Sequence, residues 1–152
     1  MIILLKAKNE YEVLAEMICE LTRNCNVKED YFAASFNLSP SEVRLLMLFT
    51  ITDTYSIKEL REKLKLTSGR ITHILTSLED KKLLIRIPVN IDKRNIIVKL
   101  LPKAKPLIKN LHQNYRQLHK NILESVDKND IIQIQSSMAI LLEVLKKWVN
   151  KI

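Results

Sequence analysis

The sequence has one glycine, Gly69, and four prolines in 152 residues. So little turn-making material excludes an all-β fold, whose many tight connections draw on both residue types. What remains is a mostly helical chain dominated by Leu, Ile, Lys and Asn. Two cysteines, Cys19 and Cys25, make no disulfide framework, and neither a Cys-x-x-Cys pair nor a Cys/His metal spacing is present. His112 and His119 lie two turns apart on one expected helix, too far for a shared metal without other ligands. No apolar run reaches the roughly 18 residues of a membrane span. The opening Met1-Ile2-Ile3-Leu4-Leu5 lacks a preceding basic segment and a small-residue cleavage site, so it does not read as a signal peptide. The expected setting is the reducing cytoplasm, with no membrane partner and no cofactor. No nucleophile beside a base, no carboxylate pair and no phosphate-cradling loop stands out, so an enzyme is not expected.

What the chain does have is positive charge, and it is unevenly placed. The net +8 divides into −3 over residues 1–57, +9 over 58–109 and +2 over 110–152. The middle third carries the whole surplus, as it would if a polyanion docked there, because Lys and Arg near phosphates release condensed counterions. A merely solvated basic surface would give the same count.

That third also holds a readable order of elements. Ile71, Ile74, Leu75 and Leu78 recur at i, i+3, i+4 and i+7, which predicts a helix from about Ser68 to Lys81 with these four inward. Its opposite face carries Gly69, Thr72, His73, Thr76 and Ser77, with Arg70 at the boundary; a small, polar face of this kind fits a DNA major groove. Ahead of it, Ser56-Ile57-Lys58-Glu59 is a capping box that opens a short helix to about Leu64, with Ile57, Leu60 and Leu64 inward. Tyr55 is placed on a small edge strand, Lys65 and Leu66 form a turn, and Thr67 caps the central helix. Helix, three-residue turn, helix is a helix-turn-helix. Leu84–Val89 and Asn95–Leu101 read as two strands, with Ile85 and Ile87 against Ile96, Val98 and Leu100 on the inner face and Arg86 and Lys99 outward. Between them Asn90-Ile91-Asp92-Lys93-Arg94 is a basic hairpin tip, a wing placed to touch backbone or minor groove.

The flanks are helical. From Asn9 to about Asn24, Tyr11, Leu14, Ala15, Ile18, Cys19 and Leu21 form a stripe, with Glu10, Glu12, Glu16 and Glu20 outside it. Val27–Phe36 holds Tyr31, Phe32 and Phe36, in a form the pattern does not fix. Ser39-Pro40-Ser41-Glu42 is a second capping box, with proline at the first helical position and Val43, Leu46, Met47 and Thr50 following on one face. After Leu101 two helices are expected, the first starting near Pro106 and carrying Leu107, Leu111, Tyr115, Leu118 and Ile122. Asp127–Asp130 is the expected break, and Ile131 to Ile152 a broad apolar stripe. This is more apolar helix than a small winged module needs, so a dimer interface is the economical explanation. The fold class is therefore mainly α with a small β-hairpin wing: a helical dimerisation region at 1–37, a winged helix-turn-helix at 38–101 and dimerisation helices at 102–152.

Taken in order, these pieces resemble the MarR family of bacterial transcription regulators. The resemblance is carried by Leu38-Ser39-Pro40-Ser41-Glu42, by Ile57 to Leu66, by Leu66-Thr67-Ser68-Gly69-Arg70-Ile71-Thr72 and by Leu78-Glu79-Asp80-Lys81-Lys82-Leu83-Leu84. Asp92-Lys93-Arg94 followed by Ile96 to Leu100 is similar to the family's Asp-x-Arg wing. The resemblance implies a homodimer that sets two recognition helices in successive major grooves, with Arg94 reaching a minor groove and Asp92 positioning the wing. It implies a ligand-responsive repressor, with a small-molecule effector bound between the winged module and the dimer helices. Three positions depart from the pattern. Lys82 stands where the family usually has glycine, and must take a left-handed conformation at about 1 kcal/mol or end the helix differently. Ala104 replaces another usual glycine, and Leu101 a usual polar cap.

On this reading double-stranded DNA is the partner, met by Ser68, Gly69, Arg70, Thr72, His73 and Thr76 and by Asp92, Lys93 and Arg94 of the wing. Gly69 would permit close approach of backbone to DNA. Lys58, Arg61, Lys63, Lys65, Arg86 and Lys99 supply general electrostatics. Some family members sense oxidants through an N-terminal-helix cysteine, and Ser68-Gly69 resembles that branch. Cys19, however, falls about one turn off the corresponding position, so Cys19 and Cys25 are expected to be buried structural thiols, with redox sensing the alternative. A winged-helix scaffold that binds an acidic protein is the alternative from another functional class.

Overall fold

Three helices begin with the same device. Asn9, Ser39 and Ser56 each accept the backbone N–H three residues on, and Glu12, Glu42 and Glu59 reach back to the N–H of the cap, so orphan donors are satisfied in both directions. These features belong to a computed structural model that describes residues 9–89 and 95–152. Its helices are α1 (Glu10–Ala34), α2 (Pro40–Leu46), α3 (Ile57–Leu64), α4 (Ser68–Asp80), α5 (Ala104–Leu123) and α6 (Lys128–Val149). Its strands are β1 (Thr54–Ser56), β2 (Leu84–Pro88) and β3 (Ile96–Leu100). The chain is mainly helical with one small antiparallel sheet, as the composition required.

α1 runs without interruption through the stretch whose form the pattern left open. No glycine or proline lies between Glu10 and Ser39, and Asn24 and Asn26 cost too little propensity to end a helix on their own. Its C-terminal end is the part that enters the core, through Phe32 and Ala33. Asn37, at φ 59°, then turns the chain toward the Ser39 cap.

The sheet has the order β1-β3-β2. Leu84 pairs with Leu100, Arg86 with Val98 and Pro88 with Ile96, so these positions share one face. The expected phase of β2 is thus wrong by one residue, which exchanges its two faces. Leu84, Val98 and Leu100 are buried, whereas Ile85 and Ile87 lie on the other face, opposite Lys99 and Ile97, and are exposed. Arg86 is inward and half-buried, not outward. The ion pair with Glu79 of α4 satisfies Arg86 on this face, and with apolar residues on both faces of β2 alternating hydrophobicity does not distinguish the two phases.

Lys65 and Lys82 both take left-handed conformations, at φ 51° and 59°. Lys82 therefore does what a glycine would do after α4. Its own N–H donates to the Glu79 carbonyl at 2.8 Å, and Leu83 closes on Leu78 at 3.0 Å. α5 starts at Ala104, two residues before the expected position. Pro106 is tolerated in its first turn because the N–H it lacks would have no partner there. The break before α6 also falls earlier than expected, at Glu124–Asp127, with Asp127 capping α6 through a 2.8 Å bond from the Asn129 N–H.

The chain divides into two compact units, residues 1–112 and 113–152. In the first, α1 to α4, the sheet and the start of α5 enclose one core that includes Leu45, Leu46, Leu60, Ile71, Leu75, Leu78, Leu84, Val98 and Leu111. Met47 and Thr50, expected inward on α2, lie beyond its end; Leu45 takes the buried position instead. In the second unit no residue is buried. α6 instead presents large apolar side chains to the surface, with Ile140 68% and Trp148 58% exposed.

Candidate nucleic-acid interface

α4 can bury only one face. Ile71, Ile74, Leu75 and Leu78 are at most 7% exposed, and this stripe turns the other side of the helix outward. Ser68, Gly69, Arg70, Thr72, His73 and Thr76 are all exposed on that side. The six recognition positions expected from the sequence therefore lie together on one solvent-facing helix surface. Thr67 caps the helix by accepting the Arg70 N–H. Within the surface, the Thr72 hydroxyl donates to the Ser68 carbonyl and the Thr76 hydroxyl to the Thr72 carbonyl, both at 2.9 Å.

Near the N-terminal end of α4 a shallow open cleft of about 300 Å³ is lined by Ser39, Ser41, Leu66, Gly69, Arg70, His73 and Ile74. A Cβ built on Gly69 would meet no atom within 4 Å. Packing within the chain therefore does not call for glycine here, and the position leaves the helix backbone open to an approaching partner. Around this surface Lys58, Arg61, Lys63 and Lys65 of the preceding helix and turn are exposed; Lys63 Nζ lies 5.9 Å over the Tyr55 ring.

Two carboxylates hold α4 from behind. Glu42 is the one buried charged residue among the described residues, 3% exposed. It accepts the Ser39 N–H at 2.8 Å, the Ser77 hydroxyl, and Lys81 Nζ at 2.8 Å; Lys81 also donates to the Asn37 carbonyl at 3.1 Å. Burial pushes the Glu42 carboxyl up, but the bonds from Lys81, Ser77 and Ser39 together outweigh it and hold it below its ordinary value. Glu79 accepts both the Arg86 N–H at 2.8 Å and Arg86 Nη2 at 2.6 Å. The Arg86 side chain is the main reason the Glu79 carboxyl is lowered, and Glu79 in turn raises Arg86. The same Nη2 reaches Thr76 Oγ1 at 3.1 Å.

The sequence does not reveal these anchors. Glu42 stands in it only as half of a capping box, and nothing local points from it to Lys81, 39 residues on. Glu79 and Arg86 straddle the exit of α4, where periodicity changes from helix to strand.

The remaining candidates separate. Asp92, Lys93 and Arg94 lie outside the described residues; the strands that would carry them, β2 and β3, are in place. Cys19 is exposed and Cys25 half-buried, both free, so the expected burial of the thiols is not found in the single chain. A 25-residue helix that enters the core only at its last turns leaves its earlier residues at the surface. His112 Nε2 lies 2.9 Å from Thr50 Oγ1, and His119 Nδ1 2.8 Å from the Tyr115 carbonyl.

No protein-family model matches the sequence, and no curated protein matches it. Solved structures match its fold. A MarR transcriptional regulator from Methanosarcina mazei Go1 superposes with a TM-score of 0.73 at 20% identity, over 90% of this chain and 98% of its own. The fold is that of the MarR regulators. A cysteine-to-serine mutant of MarR from E. coli, solved in complex with operator DNA, gives 0.72 at 19% identity over 88% and 96%. The organohalide-sensing regulator RdhR in its 2,4-dichlorophenol-bound form gives 0.71 at 17% identity over 93% and 88%. The MarR fold thus accounts for nearly the whole chain, flanking helices included.

Proposed function

We propose that this chain is a sequence-specific, DNA-binding transcriptional regulator, a repressor that acts as a homodimer on a pseudo-palindromic operator and is released by a small molecule. The observation that carries the proposal is the α4 surface: six small, polar or cationic residues exposed on one helix face, in the region that holds the chain's positive charge. α4 enters the major groove, where Arg70 can meet a guanine or a phosphate and Thr72, His73 and Thr76 meet base edges. Asp92, Lys93 and Arg94 would meet the neighbouring backbone or minor groove. Support comes from the MarR relative solved on its operator, and for an aromatic effector from the dichlorophenol-bound one.

Homodimerisation through residues 1–37 and 102–152 is supported by the apolar surface of α6 and of the first half of α1, where Tyr11, Leu14, Met17 and Leu21 are exposed. A chain leaving this much apolar helix in water gains by covering it with a second copy.

The test is selection of duplexes from a random library by the purified protein at near-physiological salt. Enrichment of a pseudo-palindrome with half-sites about one helical turn apart supports the dimeric reader. Weak binding without preference among duplexes, by a folded dimer in the absence of added effector, would shift the reading to a basic scaffold for an acidic protein.

A further inference from the structure

We propose that Arg86 fixes the hydrogen-bonding polarity of Thr76, so that the C-terminal half of α4 offers DNA an acceptor and reads an exocyclic amine, adenine N6 or cytosine N4, in the major groove. The proposal rests on the DNA-binding reading above and deepens it. A threonine hydroxyl has one proton to give and two lone pairs to receive with. At Thr76 the proton is directed at the Thr72 carbonyl, 2.9 Å away. One lone pair receives Arg86 Nη2 at 3.1 Å.

The direction of this second bond is not open to choice. A guanidinium only donates, so the Thr76 oxygen must accept, and its proton is left to the helix carbonyl. Arg86 is itself held: Nη2 is 2.6 Å from Glu79 Oε2, and the Arg86 backbone N–H is 2.8 Å from Glu79 Oε1. Strand β2 and helix α4 therefore orient one hydroxyl between them. What the Thr76 hydroxyl has left to offer a partner is a single lone pair. Guanine O6 and N7, thymine O4 and phosphate oxygens are all acceptors and make poor partners for it. The amines of adenine and cytosine are the donors of the major groove. Each base pair carries one of them, so the arrangement selects which strand's edge Thr76 meets. Arg86 is thus a positioning residue: it acts on DNA through Thr76.

The experiment uses a duplex selected by the wild-type chain. Exocyclic amines are deleted one at a time, with purine for adenine and 2-pyrimidinone for cytosine. N7 is removed in parallel with 7-deaza bases. Binding is compared for wild type, Thr76→Val, Arg86→Met and Arg86→Lys, each checked for folding by thermal melting. One amine deletion per half-site is expected to weaken wild type about fivefold, the scale of one hydrogen bond, and to leave Thr76→Val unaffected. Arg86→Met is expected to lose the same sensitivity, and Arg86→Lys, which still donates, to recover part of it. The comparison of wild type with Thr76→Val decides whether Thr76 accepts from an amine, and Arg86→Lys reads the part of Arg86 even where Arg86→Met fails to fold. An Arg86 variant that folds and keeps the full sensitivity overturns the role of Arg86. If Thr76→Val instead abolishes sensitivity to a 7-deaza base, or to no base at all, the polarity assignment is overturned while DNA binding stands. A folded wild-type dimer that selects no sequence overturns both.

Discussion

Replacing Glu42 tests whether the rear of α4 is anchored as described. In Glu42→Ala the Ser39 N–H loses its side-chain partner, which costs about 1 kcal/mol on the scale of a helix cap. The Ser77 hydroxyl loses its acceptor at a half-buried position, about 1 kcal/mol more. Lys81, 38% exposed at its side chain, can turn to water and adds less than about 1 kcal/mol. The expected loss is about 2–3 kcal/mol, read by urea unfolding at fixed protein concentration, since dimerisation would make apparent stability concentration-dependent. The charge has its own signature. Because the folded carboxyl lies below its ordinary value of 4.5, the unfolded chain binds the proton first as pH falls. The contribution is then fully present above about 4.5 and is lost as pH drops through the lower folded value. Glu42→Gln keeps one acceptor oxygen and sets an NH2 where the other stood, so the Ser39 N–H and the Ser77 hydroxyl can no longer both donate to it. It also has no charge to titrate, so the part of its deficit that comes from the charge should be largest above about pH 4.5 and shrink as pH falls below that. A loss below about 0.5 kcal/mol in Glu42→Ala, or a Glu42→Gln deficit independent of pH, would refute the reasoning.

Lys82→Gly should stabilise the chain by about 0.5–1 kcal/mol in the same assay, by relieving a left-handed lysine at φ 59°. Gly69→Ala meets no atom within 4 Å, so it should stabilise the free chain by up to about 0.5 kcal/mol yet weaken operator binding in a titration; a variant that binds as tightly as wild type would remove close backbone approach from the account. Glutamate at both Ile140 and Val144, exposed one turn apart on α6, should leave helical circular dichroism intact and shift sedimentation from dimer to monomer. Arg94→Ala should weaken operator binding at least tenfold, a loss of about 1.4 kcal/mol or more; unchanged affinity would take the wing out of the interface.

Legibility followed the range of each interaction. The capping boxes at Ser39 and Ser56 and the stripe Ile71-Ile74-Leu75-Leu78 are local, and the structure reproduces them within a residue. The stretch Leu84–Val89 is ambiguous because apolar residues occupy both of its faces: Leu84 and Ile85 compete for the core, and alternation alone does not choose between them. The exposed face of α4 is legible as the complement of the buried stripe. The anchors behind it are not, since Glu42, Ser77 and Lys81 meet only after the chain has folded. The full length of α1 is not legible because the apolar stripe of its first half does not continue in register past Asn24 and Asn26, although the residues that enter the core, Phe32 and Ala33, lie beyond them.

Ser56 is both the last residue of β1, paired with Ile97 of β3, and the cap of α3. A displacement of the hairpin that shifts β3 thus pulls on the first turn of the helix-turn-helix directly, with no intervening linker to absorb it. The hairpin and the two helices should open together, so that amides of β3 and of the first turn of α3 exchange with solvent at matching free energies. A contact that stiffens β3 would then be felt as rigidity at the first turn of α3.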